Sequence, residues 1–135
     1  MSGIPATIPD RYTCRGEGAK PPLRWGAVPR QTQELVLLVT DPDAPNGRFV
    51  HWSAFGLPPG ARVVPVRVRE GANSAGNDGW TPPCPPEGDQ PHRYVFDLYA
   101  LKAPSRLQQG ASAGEVTAAV RGAIARGEIV GRFGR

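Results

Sequence analysis

The chain has 135 residues, 39% of them hydrophobic and 21% charged, enough for one domain with a real core and too few for two. No window approaches the roughly 18 consecutive apolar residues of a membrane span, and the start "MSGIPATIPDR" has neither a basic head nor an apolar stretch for export, so stable membrane insertion is not expected and a cytoplasmic location is. The charge is +4, from 16 basic against 12 acidic residues, but the arginines are spread from Arg11 to Arg135 without a dense block, which argues against a nucleic-acid partner.

The first predicted strand is "ELVLLVT", Glu34 to Thr40, a continuous apolar run of strand length. It leads directly into "DPDAPNG", where Asp41 and Asp43 alternate with Pro42 and Pro45. "RFVHWSAFGL", Arg48 to Leu57, reads as a second buried strand, rich in aromatic residues. "ARVVPVRV" holds Pro65 in its middle, which demotes it to an edge strand or a bulge; Arg67 and Arg69 of "RVVPVRVRE" share a solvated face. The longest connection, Glu70 to Pro91, exceeds the length at which loops in compact domains tend to be functional, about 12 residues. "HRYVFDLYAL", His92 to Leu101, alternates, with Tyr94, Phe96, Leu98 and Ala100 on one face. One helix is expected over "SAGEVTAAVRGAIARG", opened by the Ser112/Glu115 capping box and stopped by Gly127. A short last strand, "EIVGRF", follows it. The expected fold is mostly β, with one late α-helix against the sheet.

The chain has two histidines, His51 and His92, each in a strand beside a polar loop. Imidazole is the side chain most easily tuned near neutral pH, so both are site candidates. An Asp-Pro turn accounts for one aspartate of "DPDAP" comfortably and for two less well. The two prolines stiffen the segment, and a stiff segment loses less entropy when it holds a ligand. Two histidines and an aspartate would be adequate for zinc or iron, but no close His-x-His or Glu-x-x-His spacing occurs, so no metal or other cofactor is expected. A small hydrolase using the His/Asp pocket is the enzymatic alternative. "ANSAG" around Ser74 nearly matches a nucleophile elbow but lacks the following helix, and Ser53 lacks an obvious oxyanion hole. Cys14 and Cys84 are expected as free thiols, as in most unexported proteins.

Taken in order, "DPDAP…HW", "GANSAGNDGWTPPCPPEGDQPHRYVFDLYAL" and "IVGRFGR" resemble the phosphatidylethanolamine-binding protein family, also called Raf kinase inhibitor proteins, in its compact bacterial branch. The similarity runs from "PPLRWGAVP" to the C-terminus. It implies a large central antiparallel sheet with a smaller sheet packed on it, and a non-enzymatic protein with a surface pocket for small anions, phosphoryl or carboxylate, such as a phospholipid head group or a phosphorylated protein. Carried over, the pocket is lined by Asp41, His51, His92 and Tyr94, with Asp43 behind it or at its rim. The peptide before Pro45 is a candidate cis bond. Where the family usually has tyrosine and glycine, this chain has Trp80 and Pro82, so Trp80 is carried over as a ligand-binding position with an altered pocket shape. The resemblance also implies regulation of a kinase or protease as a further role, and it allows a homodimer. In such a pocket an aspartate serves the histidine, favouring its charged form and orienting its ring toward the anion.

Overall fold

The computed structural model describes residues 1–135. Five strands, β1 (Glu34–Asp41), β2 (Phe49–Leu57), β3 (Arg69–Glu70), β4 (His92–Leu101) and β5 (Ala125–Phe133), form one antiparallel sheet in the order β3-β2-β1-β4-β5. Every residue of the central β1 is buried, which explains its unbroken apolar run: both faces of the sheet are covered. On one face Leu35, Leu37, Val39, Trp52, Tyr94 and Phe96 pack under the N-terminal segment through Ile4, Ile8, Tyr12, Leu23 and Trp25. On the other face Val36, Leu38, Phe55 and Leu101 pack under α1 (Ala113–Val120) through Val116 and Val120.

The N-terminal layer is the counterpart of the smaller sheet, reduced to bridges between extended segments: Ser2 with Arg24, and Arg24 with Val63. It lies close because Gly131 of β5 has no side chain; a Cβ there would stand 2.6 Å from Ile8 Cγ1.

Four expectations need correction. The Pro65 segment contributes only the two-residue β3 beyond it, consistent with a residue that cannot donate to a ladder, and Val66 is fully exposed. The helix opens with the Ser112/Glu115 capping box but ends at Val120, seven residues before Gly127. Those residues instead carry the chain into β5, which starts at Ala125 and pairs with β4 from Ala100 back to His92, so that β4 is not an open edge. The peptide before Pro45 is trans, as are all others. Finally, Cys14 and Cys84 form a disulfide rather than free thiols. The Cys14 N–H donates to Pro83 O at 3.1 Å, which aligns the two segments and holds the Cα atoms 5.3 Å apart.

Glu34 ties the far end of the sheet together. Its buried carboxylate accepts from Gly56 N (2.8 Å), Ser105 N (2.7 Å) and Ser105 Oγ (2.8 Å). Glu34→Ala leaves these donors without their acceptor and is expected to cost about 2 kcal/mol in urea unfolding, with an unchanged m-value.

Candidate functional site

The site lies at the end of the sheet where β1 stops and β4 begins. Asp41, the last residue of β1, uses both carboxylate oxygens: Oδ1 accepts from Asp43 N at 2.8 Å, and Oδ2 bonds His92 Nδ1 at 2.7 Å. The first contact is the local Asp turn. The second is a buried pair in which each side chain is 5% exposed. Asp43 faces outward and clamps Arg93, accepting from its backbone N (2.8 Å), Nε (3.0 Å) and Nη2 (2.8 Å). Those hydrogen bonds hold the Asp43 carboxyl down at about 2. The two aspartates thus divide the work: one sets the histidine, and the other straps the loop to β4.

His51 is placed by a β-bulge. Val39 pairs with Trp52 and Thr40 with Val50, so His51 is the extra residue between them, and bulges of this kind re-aim a side chain. The long loop then clamps it on both sides. Thr81 N donates to His51 O at 2.9 Å, and His51 Nδ1 donates to Thr81 O at 2.7 Å. A carbonyl can only accept, so the proton sits on Nδ1 and Nε2 has no partner in the chain.

A cavity of about 350 Å³ opens beside this ring, lined by Pro45, Asn46, Phe49, His51, Thr81, Pro82, Cys84, Pro86 and Tyr94. Tyr94 stands between the two histidines, edge-on to His51 at 5.2 Å and stacked with His92 at 6.4 Å. Its hydroxyl stays protonated, because burial and then the charges of Asp41 and Asp43 raise its pKa. Burial lowers the His51 pKa, outweighing the Thr81 hydrogen bond and the Asp41 charge. Burial opposes the charged form of His92 too, but hydrogen bonds to Asp41 and Asp89 prevail and raise its pKa. One imidazole therefore favours the neutral form and the other the charged form.

Of the residues carried over from the sequence, His51 and Tyr94 line the cavity, while His92, stacked on Tyr94, and Asp41, paired with His92, are outside its lining. Asp43 lies on the outer side. Trp80 does not reach the cavity: its Nε1 donates to Gly18 O at 2.8 Å and its ring packs edge-on to Trp52 at 5.7 Å. Its neighbours Thr81 and Pro82 line the cavity instead. Sequence reasoning did not single out Phe49, Thr81 or Asp89; the position of Phe49 two residues before His51 on a strand was the one available signal. Ser74 is occupied structurally, its Oγ accepting from Val50 N at 2.8 Å within a turn that no helix follows. No three His, Cys, Asp or Glu side chains converge as metal ligands.

The chain is similar to known proteins in sequence and in overall fold. A profile described as phosphatidylethanolamine-binding protein matches residues 4–134. The UPF0098 protein of Methanothermobacter thermautotrophicus is 38% identical over 139 residues, covering 95% of this chain and 91% of that one. A relative from Mycobacterium tuberculosis named as a candidate lipoprotein, LppC, is 37% identical over 134 residues, covering 95% of this chain and 66% of that one. Among solved structures, the phosphatidylethanolamine-binding-protein homolog of Chlamydia trachomatis superposes with a TM-score of 0.89 at 35% identity, over 99% of this chain and 93% of that one. Escherichia coli YbcL, described as a member of the mammalian family, superposes at 0.90 with 26% identity, over 98% and 93%.

Proposed function

The chain belongs to the phosphatidylethanolamine-binding protein family, a ligand-binding fold, and we propose that it is a binding protein for small oxyanions, phosphoryl groups above all. The observation that carries this is the bulged His51, held as a hydrogen-bonded ring by Thr81 O with Nε2 unpartnered at the cavity. A phosphoryl oxygen that brings its own proton donates to neutral Nε2; a fully ionised oxyanion instead draws a proton onto the ring. Tyr94 supplies a further donor, and the imidazolium of His92, whose own N–H groups are held by Asp41 and Asp89, supplies positive charge behind it. A phospholipid head group or a phosphorylated protein side chain presents this chemistry.

The role is binding without turnover. Calorimetric titration with phosphoethanolamine should saturate at one ligand per chain, and ³¹P NMR of the mixture should show the ester intact after prolonged incubation. His51→Gln should weaken binding about tenfold, the loss of one charge-assisted hydrogen bond. Release of inorganic phosphate would favour the hydrolase alternative, and no saturable binding would remove the proposal.

No helix is long and apolar enough to cross a membrane. The Cys14–Cys84 bridge fits an oxidising compartment better than the cytoplasm.

A further inference from the structure

Both ring nitrogens of His92 are taken by carboxylates. Asp41 Oδ2 bonds Nδ1 at 2.7 Å from inside the fold, and Asp89 Oδ2 bonds Nε2 at 3.0 Å from the loop before β4. The two contacts differ in kind. Asp41 is 5% exposed and fixed at the end of a strand, whereas the Asp89 side chain is 42% exposed. His92, itself 5% exposed, is closed off from solvent with Asp89 across its outer nitrogen. An oxygen of an oxyanion ligand hydrogen-bonded to that nitrogen would have to stand where Asp89 Oδ2 stands.

We propose that Asp89 is a built-in stand-in for the ligand: its carboxylate occupies the oxyanion position at His92 Nε2, and an external sulfate or phosphate engages His92 only by displacing it. The inference rests on the anion-binding function proposed above and adds its gate. The loop is built for such an exchange. Its backbone is anchored independently of Asp89, because Arg135 Nε donates to Pro85 O at 2.7 Å and Gly88 N to Arg135 O at 3.1 Å. The Asp89 side chain can therefore rotate away while the loop stays in place. A neighbouring cavity of about 480 Å³, lined by Asp89, Arg132 and Arg135 among others, puts two arginines beside the released carboxylate. A partly exposed pair of this kind biases an equilibrium by about fivefold at most, so the gate lowers affinity without shutting the site.

Sulfate titrations at one acidic pH, chosen so that the His92 imidazole NMR signal is that of the charged ring both with and without Asp89, test this. Asp89→Ala should bind sulfate about fivefold more tightly than the unaltered protein. Glu87→Ala, which removes a charge from the same loop beside Arg135, should change the affinity less than twofold. In a His92→Gln background the gain from Asp89→Ala should vanish. If His92→Gln does not fold, the His92 imidazole NMR signal should move further on sulfate addition in Asp89→Ala than in the unaltered protein. Unchanged or weaker binding by Asp89→Ala, an equal gain from Glu87→Ala, or a gain that survives loss of His92 would each overturn the gate. If the unaltered protein binds sulfate through His51 and Asp89→Ala binds no more tightly, the gate alone is lost; if neither protein binds, the anion proposal falls with it.

Discussion

Opening the Cys14–Cys84 bridge is expected to destabilise the protein by about 4 kcal/mol. The two cysteines are 70 positions apart, so the bridge removes the closure entropy of a loop spanning half of the chain from the unfolded ensemble. For a domain of this size the loss corresponds to a fall in Tm of roughly 15 °C. The same bridge fastens the loop that carries Thr81, Pro82 and Cys84, all lining the cavity, to the segment after the first helical turn, Asp10–Tyr12. Thermal unfolding followed by circular dichroism, with and without a reductant and for Cys14→Ser with Cys84→Ser, measures the effect. The native protein should also show no thiol reactive toward a maleimide dye until it is unfolded and reduced. A Tm that moves by less than about 2 °C would mean that the bridge contributes little.

What could be read from the sequence is what local chemistry determines. The run "ELVLLV" and the alternation in "HRYVFDLYAL" give β1 and β4 because a strand's side chains follow a fixed period whatever surrounds them. The Ser112/Glu115 box marks the helix start because both of its bonds close within one turn. Short ordered motifs that match a family point to Asp41, His51, His92 and Tyr94 as site candidates, and the fold brings these four side chains together. What escaped depends on groups far apart in the chain. Cys14 and Cys84 are 70 positions apart and meet where Cys14 N pairs with Pro83 O. Trp80 was assigned to the pocket by its place in a motif, yet it turns toward Gly18 and Trp52, which periodicity cannot anticipate. The helix end was misplaced because Val116, Ala119, Val120, Ala123 and Ile124 keep a helical period that β4 overrides by taking the chain from Ala125 as its partner. Asp89 carries no local signature at all; its role comes from the ring it meets.

The two histidines should divide the pH dependence of sulfate binding between them. Sulfate does not titrate in this range, so any proton linkage belongs to the protein. For a histidine that is charged in the complex, affinity is level below its pKa in the free protein. It falls above that pKa by up to tenfold per pH unit for each linked proton, or about 1.4 kcal/mol. His51 has its pKa lowered by burial, so its part of the fall begins on the acidic side of the ordinary value of about 6.5. Although burial works against it, His92 has its pKa raised by Asp41 and Asp89, so its part begins above that value. The expected profile is a descent that starts in acid and continues through neutrality, with the two onsets separated. His51→Gln should remove the acidic onset and leave the later one, and His92→Gln should do the reverse. Asp41→Asn removes the carboxylate from His92 Nδ1, so it should move the later onset to lower pH, and the first onset in the same direction by less, because Asp41 acts on His51 through its charge alone. Calorimetric sulfate titrations from mildly acidic to mildly alkaline pH, with the two imidazole signals followed by NMR in the free protein, give both the onsets and their assignment. A flat sulfate affinity, or a slope that neither histidine replacement alters, would show that these rings do not hold the anion.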